Sequence, residues 1–281
     1  YEKTGLGPLA EPPLCTRISC GAPPSVKNGK LTSSAEMYYL DKVTINCDDG
    51  YSIDTTADDD KKLFEVGCQA DTTFSKYEEC LAVLCGTAPT IAHTTNDRTG
   101  ESVYYAEPPI KYTCDNGWSL NAKADGPKTF TIDCLTTSAF EDVSEVVPVQ
   151  RVECGINPAV DNAHVSRSMR VFEDTATYTC NSGYSTDREP VKPGTSNGAF
   201  TIKCEANGKF SGMKSCPPVS CKTHPTPNNA KAMFDASTKF HYGMEAGFTC
   251  HPGWSLDGVF QGPQSFSVAC KTDGTFVPPP K

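Results

Sequence analysis

The sequence lacks the signals of several common protein classes. No apolar run approaches the roughly 20 residues of a membrane-spanning helix, and no segment keeps the helical spacing of apolar residues. Gly, Pro and Asn interrupt the chain throughout. No Cys-x-x-Cys pair occurs, which argues against a zinc-binding fold. We therefore expect an all-β protein with no membrane span.

Catalytic and cofactor motifs are also missing. The sequence has no Gly-x-Ser-x-Gly, no His-Glu-x-x-His and no phosphate-binding glycine loop. The acidic run at residues 58–62 offers clustered oxygens to calcium, but it lacks the alternating spacing of a ligand loop, so we interpret it as a solvated loop. The net charge of −9 argues against nucleic acid. We expect no enzyme activity, no cofactor, no metal and no nucleic-acid partner.

Cysteine is abundant instead. The 281 residues include 15 cysteines, spread over the whole length. Cysteine at this density points to disulfides and to an oxidising compartment. We expect an extracellular protein, either secreted or at the cell surface.

The cysteines mark an internal repeat. Cys-Gly-x-x-Pro opens three copies at Cys20, Cys85 and Cys154, and a fourth copy at Cys221 keeps the proline. A second cysteine then begins the pattern Cys-x-x-Gly-(Tyr/Trp)-Ser, which we name the turn segment, at residues 47–52, 114–119, 180–185 and 250–255. A third cysteine closes each copy's strand-like phrase, at Cys68, Cys134, Cys204 and Cys270. The sequence therefore predicts four small modules in tandem.

Aromatic and β-branched residues alternate before each third cysteine. A phenylalanine stands four residues before it and Val or Ile two residues before it, as expected for a strand with one buried face. We predict that the four phenylalanines belong to the module cores: Phe64, Phe130, Phe200 and Phe266. Modules of this size bury little apolar surface, so disulfides are needed to stabilise them.

These motifs resemble sushi domains, also called complement control protein modules. The resemblance covers residues 20–281 and rests on four cysteines per module, the Cys-Gly-x-x-Pro opening, the Gly-Tyr after the second cysteine and the short linkers. Two features depart from the family: Phe replaces its usual Trp between the third and fourth cysteines, and the segment between the second and third is long. The resemblance implies a tandem array of small disulfide-stapled β modules. The four-residue linkers leave little room for modules to fold back on each other, so we expect an elongated rod.

The resemblance also implies the disulfide pattern, because the family pairs the first cysteine with the third and the second with the fourth. Carried over, the pairs are Cys20–Cys68, Cys47–Cys80, Cys85–Cys134, Cys154–Cys204, Cys180–Cys216 and Cys221–Cys270. The predicted ranges are an N-terminal segment at 1–19, module one at 20–80, module two at 85–149, module three at 154–216 and an incomplete module four at 221–281.

Three cysteines remain outside this pattern. The spacing of the linkers places Val149 where module two needs its fourth cysteine, which leaves Cys114 unpaired. Cys250 also lacks a partner, because the corresponding position after Cys270 lies beyond residue 281. Cys15 has the place of a fourth cysteine with no module before it. We consider two explanations: residues 1–15 of one chain complete module four of the next through a Cys15–Cys250 disulfide, or the sequence is a window on a longer array.

Two functions remain open from the sequence. The unmatched cysteines favour a structural protein that assembles head to tail, with copies of itself as partner, into a fibre or surface coat. The alternative is an adhesin or receptor ectodomain whose modules bind a protein or glycan ligand. Trp118 and Trp254 are candidate exposed anchors for a ligand, although their place in the turn segment, shared with Tyr51 and Tyr184, also suits a packing role.

Overall fold

The computed structural model describes residues 14–142 and 148–279, and these residues form short β-strands and one 3-10 helix, at Asp59–Lys61. The strands of the first half are β1 (Ser19–Gly21), β2 (Gly29–Leu31), β3 (Met37–Tyr38), β4 (Lys42–Cys47), β5 (Tyr51–Ser52), β6 (Leu63–Gly67), β7 (Leu81–Ala82), β8 (Leu84–Thr87), β9 (Thr94–Asn96), β10 (Ser102–Tyr104), β11 (Ile110–Cys114), β12 (Trp118–Ser119) and β13 (Thr129–Ile132). Those of the second half are β14 (Gln150–Arg151), β15 (Glu153–Ile156), β16 (Ala163–His164), β17 (Met169–Val171), β18 (Thr175–Cys180), β19 (Ala199–Cys204), β20 (Phe210–Ser211), β21 (Ser220–Cys221), β22 (Ala230–Ala232), β23 (Phe240–His241), β24 (Glu245–Cys250) and β25 (Ser265–Ala269). The all-β fold predicted from the sequence is confirmed.

The described residues fall into two compact units. The first takes residues up to Thr113 together with those from Thr129 to 142, and the second takes Cys114–Lys128 and the residues from Pro148 onward. The boundary runs through the range predicted for module two. The turn segment at 114–119 belongs to the second unit because its strand β12 pairs with β14, which follows that range.

A small antiparallel sheet recurs in each predicted module. The strand orders are β2-β4-β6, β9-β11-β13, β16-β18-β19-β20 and β22-β24-β25. In each sheet the residue two before the second cysteine stands opposite the phenylalanine named above: Ile45 with Phe64, Tyr112 with Phe130, Tyr178 with Phe200 and Phe248 with Phe266. Cross-strand aromatic pairs of this kind stabilise a sheet beyond their burial alone.

The cores lie on one face of these sheets. Ile45, Tyr112, Tyr178 and Phe248 are buried, as is the Val or Ile two residues before each third cysteine. Phe200 is buried too, whereas Phe64, Phe130 and Phe266 are half-buried and pack against their clusters. The position predicted for the core is thus occupied by a ring that covers the core and remains partly open to solvent at three of the four sites.

Six disulfides lie within the predicted modules. The first and third cysteines are bonded in all four: Cys20–Cys68, Cys85–Cys134, Cys154–Cys204 and Cys221–Cys270. The second and fourth are bonded in modules one and three, as Cys47–Cys80 and Cys180–Cys216. The first type fixes the strand that opens a module to the central sheet. The second type fixes the turn segment to the end of the module, where the next linker begins.

Candidate interaction site: the junction between modules

Each linker between modules pairs with the turn segment of the module before it. The aromatic residue of the turn segment stands opposite the second linker residue: Tyr51 with Ala82, Trp118 with Arg151, and Tyr184 with Pro218. The serine that follows the aromatic is buried each time, as Ser52, Ser119 and Ser185. The same short two-stranded contact therefore closes three successive modules.

The third linker residue is a buried valine that joins the two neighbours. Its amide donates a hydrogen bond of 2.9 Å to the glycine carbonyl of the turn segment: Val83 to Gly50, Val152 to Gly117 and Val219 to Gly183. Its carbonyl accepts a hydrogen bond from an aromatic residue of the following module: from Tyr105 at 2.9 Å, Phe172 at 2.7 Å and Tyr242 at 2.8 Å. One residue thus fixes the register of both sides of the junction.

The glycine of the turn segment is required at this contact for two reasons. Gly50, Gly117 and Gly183 have φ of +81°, +84° and +85°, a conformation that glycine adopts without strain. The ring of the next module also covers the glycine. A Cβ at these three positions would approach Tyr105, Phe172 and Tyr242 to 2.3, 2.2 and 2.3 Å. The ring therefore lies so close to the glycine that any residue with a side chain at this position would clash with it.

The junction after module two carries an additional charged contact. Arg151 donates at 3.3 Å to the carbonyl of Phe172 and at 3.3 Å to the carboxylate of Asp174. The same carboxylate accepts the amide of Val171 at 3.1 Å. These bonds fix the linker to the module that follows it, with the aromatic ring in place over the glycine.

An open groove lies beside the junction after module one. Its volume is about 880 Å³, and tyrosines and glutamates line it: Tyr51, Tyr77, Tyr104, Tyr105, Glu78, Glu79 and Glu107. The amide of Tyr104 and the Arg98 guanidinium lower the pKa of Glu107, so this carboxylate is charged at neutral pH. The groove therefore presents aromatic surface together with negative charge.

The described residues include three free thiols, those of Cys15, Cys114 and Cys250. Cys114 is buried, and burial together with the nearby Asp115 raises the pKa of its thiol. A buried, protonated thiol is a poor nucleophile. Cys15 is exposed and Cys250 is half-buried, so oxidants and other thiols have access to both.

The two tryptophans differ in their surroundings. Trp118 is half-buried and its backbone pairs with the linker strand β14. Trp254 holds the same position in module four, but 54% of its surface is exposed and it lies outside the strands of the described chain. The packing role thus describes Trp118, and the exposed-anchor role remains open for Trp254.

The sequence did not reveal the ring that covers each glycine. Its signal is an aromatic residue 18 to 21 positions after the first cysteine of the following module, at Tyr105, Phe172 and Tyr242. Tyr39 holds the same position in module one. The variable spacing hides this series, whereas the cysteine spacing is regular. The Ala or Glu that follows the aromatic in modules two and three has positive φ, like Leu40 in module one, which marks a tight turn after the ring.

Neither a metal centre nor a membrane helix is found in the described part of the chain. Residues 14–142 and 148–279 hold no group of three His, Cys, Asp or Glu side chains arranged for a metal. The same residues contain no helix with the length and hydropathy needed to cross a bilayer. The acidic run at 58–62 includes the short 3-10 helix, where Lys62 pairs with Asp59 at 2.7 Å.

Comparison with known proteins gives one family and several relatives. The family model of the sushi repeat (SCR repeat) matches residues 20–80 and 154–221. Over 274 residues and 95% of its length, the chain is 31% identical to the mouse "Sushi, von Willebrand factor type A, EGF and pentraxin domain-containing protein 1". It is 25% identical to bovine "Complement factor H" over 90% of its length, and 25% identical to "Membrane cofactor protein" of Saimiri sciureus over 93%. The chain spans 6%, 18% and 86% of these three relatives.

Proposed function

This chain is a sushi-repeat protein of the extracellular space, and we propose that it is a non-catalytic array whose modules bind a protein ligand. The names of its relatives support this function. Besides a cofactor protein, they include two named "C4b-binding protein alpha chain" and "C4b-binding protein". The disulfides described above suit the same compartment.

The groove beside the first junction is the observation that carries this proposal. Tyrosine is enriched among the residues that dominate protein–protein binding energy, because its ring gives contact area at low entropic cost. Tyr77 is 41% exposed, and Glu78 and Glu79 beside it are exposed as well. An aromatic surface edged by carboxylates fits a partner with exposed apolar and basic residues.

Surface plasmon resonance with the immobilised chain tests this function, with purified C4b as the first probe. We expect Tyr77→Ala to weaken binding by about tenfold or more, as for a central aromatic contact. We expect Glu78→Gln combined with Glu79→Gln to lower the association rate and its dependence on salt.

Tyr38→Ala is the matched control, because Tyr38 lies in the same module with a similar exposed fraction of 37%. Equal losses for Tyr38→Ala and Tyr77→Ala would contradict a role for the groove. A dissociation constant of about 10 µM corresponds to weak binding. If the unmodified chain gives no signal with C4b at that concentration, C4b is not its ligand.

A second candidate function is self-assembly, in which copies of the chain join end to end as a structural protein. The accessible thiols of Cys15 and Cys250 favour it, because a disulfide between two copies would lock such an assembly. Residues 1–13, which the sequence analysis also assigned to this contact, lie outside the described residues.

A further inference from the structure

We propose that the turn segment of module four binds residues 15–19 and Tyr39 of a second copy of this chain, in the same way that the three internal junctions bind their linkers. The inference rests on the second candidate function, self-assembly, and is independent of ligand binding in the groove.

The turn segment of module four is folded as the other three are. Trp254 donates to the carbonyl of His251 at 3.0 Å, the bond that Tyr51, Trp118 and Tyr184 make within their own turn segments at 3.0 Å. Gly253 has φ of +87°, close to the values of its three counterparts. The surface is therefore preorganised for a linker, which lowers the entropic cost of binding one.

Within residues 14–142 and 148–279, no linker pairs with this preformed turn segment. No atom of the described residues outside Gly253 and its chain neighbours lies within 4 Å of a Cβ built on it, where the other three glycines have a ring at about 2.3 Å. Among the described residues, no backbone amide donates to the Gly253 carbonyl. A cavity of about 310 Å³ lies beside Trp254 and reaches Cys250, Phe266 and Pro279.

Residues 15–19, which correspond to the opposite half of a junction, are exposed. Ile18 occupies the place of the buried valines, and 45% of its surface is exposed. Its carbonyl accepts the amide of Tyr39 at 2.8 Å, which is the bond made by each junction valine. Tyr39, the counterpart of the rings that cover the glycines, is 38% exposed.

The N-terminal linker is held in its junction conformation by a charged contact. Arg17 donates to the Tyr39 carbonyl and to the Asp41 carboxylate. The Tyr38 amide and Arg17 both lower the pKa of Asp41, so the ion pair is present at neutral pH. In the junction after module two, Arg151 makes the same two contacts, with the Phe172 carbonyl and Asp174.

The junction after module two therefore serves as the template. It is the internal junction whose turn segment contains Gly-Trp-Ser, as module four's does, and whose linker contains an arginine before the buried aliphatic residue. We apply the register of this junction to residues 15–19 of one copy and the module-four turn segment of another. Arg17 then stands opposite Trp254, and the Ile18 amide donates to the Gly253 carbonyl. The Tyr39 ring then covers Gly253.

The same register brings the accessible thiols together. Cys80 precedes Val83 by three residues and Cys47 precedes Gly50 by three, and these two cysteines are bonded. Cys15 precedes Ile18 by three residues and Cys250 precedes Gly253 by three. Formation of the Cys15–Cys250 bond releases two protons and two electrons. A low-molecular-weight disulfide such as oxidised glutathione accepts them by exchange and becomes two thiols.

The backbone register does not depend on this bond. The junction after module two keeps its 2.9 Å hydrogen bond from Val152 to Gly117 although Cys114 is a free thiol. The non-covalent contact is expected to form first and to hold the two sulfurs close enough for exchange.

Two measurements on the full 281-residue chain test the proposal. The chain is first incubated with oxidised and reduced glutathione, and unreduced digests of each oligomer are analysed by mass spectrometry. We expect a peptide that joins Cys15 to Cys250 in the dimer and larger species, and no such peptide in the monomer. Sedimentation equilibrium under conditions that leave the six intramodule disulfides intact, with Cys15 and Cys250 both changed to Ser, then measures the non-covalent contact alone.

Two glycines of module four provide a matched pair for the second measurement. Gly253 and Gly258 both have positive φ, +87° and +70°, and a Cβ has open space at each in the single chain. Both alanine variants therefore strain the backbone, but only the Gly253 side chain would meet the Tyr39 ring of another copy. We expect Gly253→Ala to weaken self-association about tenfold or more and Gly258→Ala to leave it unchanged. Ile18→Asp, at an exposed position on the opposite side, should weaken it to a similar degree.

The outcomes separate this junction from self-assembly in general. The proposed junction would be overturned if Gly253→Ala and Ile18→Asp leave self-association unchanged and no peptide joins Cys15 to Cys250. Self-assembly by another contact would still stand in that case. A chain that stays monomeric at all concentrations, with both thiols free, would overturn both. A native protein in which Cys250 is bonded to a cysteine beyond residue 281 of its own chain would assign this surface to the next module and end the proposal.

Discussion

At the residue scale, the glycine of the turn segment decides whether two modules can dock. The junction requires two properties of the residue at this position: its backbone lies in the left-handed region, and it has no side chain that would clash with the aromatic ring above it. The first property makes glycine favourable, and the second makes it obligatory. Other glycines in the chain have only the first property, so the two effects can be measured separately.

We predict that Gly183→Ala loosens the junction between modules three and four far more than Gly194→Ala does. Both glycines have φ of +85°, but a Cβ at 183 would lie 2.3 Å from the Tyr242 ring, whereas a Cβ at 194 meets no atom within 4 Å. Overpacking of this kind costs about 1–3 kcal/mol beyond the shared backbone strain, which is roughly 5- to 150-fold in an opening equilibrium.

Hydrogen exchange of the Val219 amide checks this, because that amide bonds to the Gly183 carbonyl across the junction. Its protection should fall by that factor in Gly183→Ala relative to Gly194→Ala. Equal protection in the two variants would mean that the ring moves aside at little cost.

At the scale of the single element, the linker strand determines which cysteines can meet. A fourth cysteine stands three residues before the junction valine in modules one and three, and it is bonded to the cysteine of the turn segment. In module two, Val149 stands in that place while the strand keeps its register. Module two therefore has the backbone of a bridged junction without the bridge.

We predict that Val149→Cys forms a disulfide with Cys114 and stabilises module two. The new bond would close a loop of the kind closed by Cys180–Cys216, whose sequence separation is 36. The chain-entropy model gives roughly 3–4 kcal/mol for such a loop. Thiol titration of the denatured, unreduced chain should detect two free thiols instead of the three found now.

Val149→Ala is the control for the loss of the valine side chain, and it should lower the melting temperature slightly while leaving the thiol count at three. A count of four thiols in Val149→Cys would show that the register at residues 149 and 114 differs from that of the bridged junctions.

The central strands were predictable from the sequence, whereas the contacts at the junction were not. The alternation before the third cysteines predicted the central strands because burial of one sheet face has a period of two residues. The contact of Gly117 with Phe172 depends instead on a strand register, a turn and a linker conformation acting together over 55 residues. No local periodicity encodes it. Likewise, the alternation in the sequence predicted Phe64 in the core but did not predict that it stays half-buried.

At the scale of the whole molecule, disulfides supply what the small cores lack. The described residues contain four separate hydrophobic clusters with four to six buried residues in each. Domains with such small cores are marginal without covalent links. The six disulfides close loops whose sequence separations run from 33 to 50 residues, and each should contribute about 3–4 kcal/mol.

We therefore predict that reduction unfolds the chain at neutral pH and 25 °C without added denaturant. Circular dichroism should lose its near-ultraviolet signal as the thiol count rises from three to 15. Alkylation of the three free thiols in the unreduced chain is the control, and the accessible ones should react without loss of structure. A reduced chain that keeps its near-ultraviolet signal would mean that the cores suffice.

The bond between the first and third cysteines also sets how far each module can stretch under tension. Force that enters module one at Cys20 crosses directly to Cys68, at a sequence separation of 48, so the residues between them carry no load. Only the stretch from Cys68 to Cys80 can be drawn out, and the corresponding stretches are Cys134 to Val149 and Cys204 to Cys216. At about 3.5 Å per residue, each amounts to roughly 40–55 Å. Module two lacks the second disulfide and should therefore be the least stable of the three. Its stretch is longer by three residues, so a pulled array would yield only about 10 Å more there than at its neighbours.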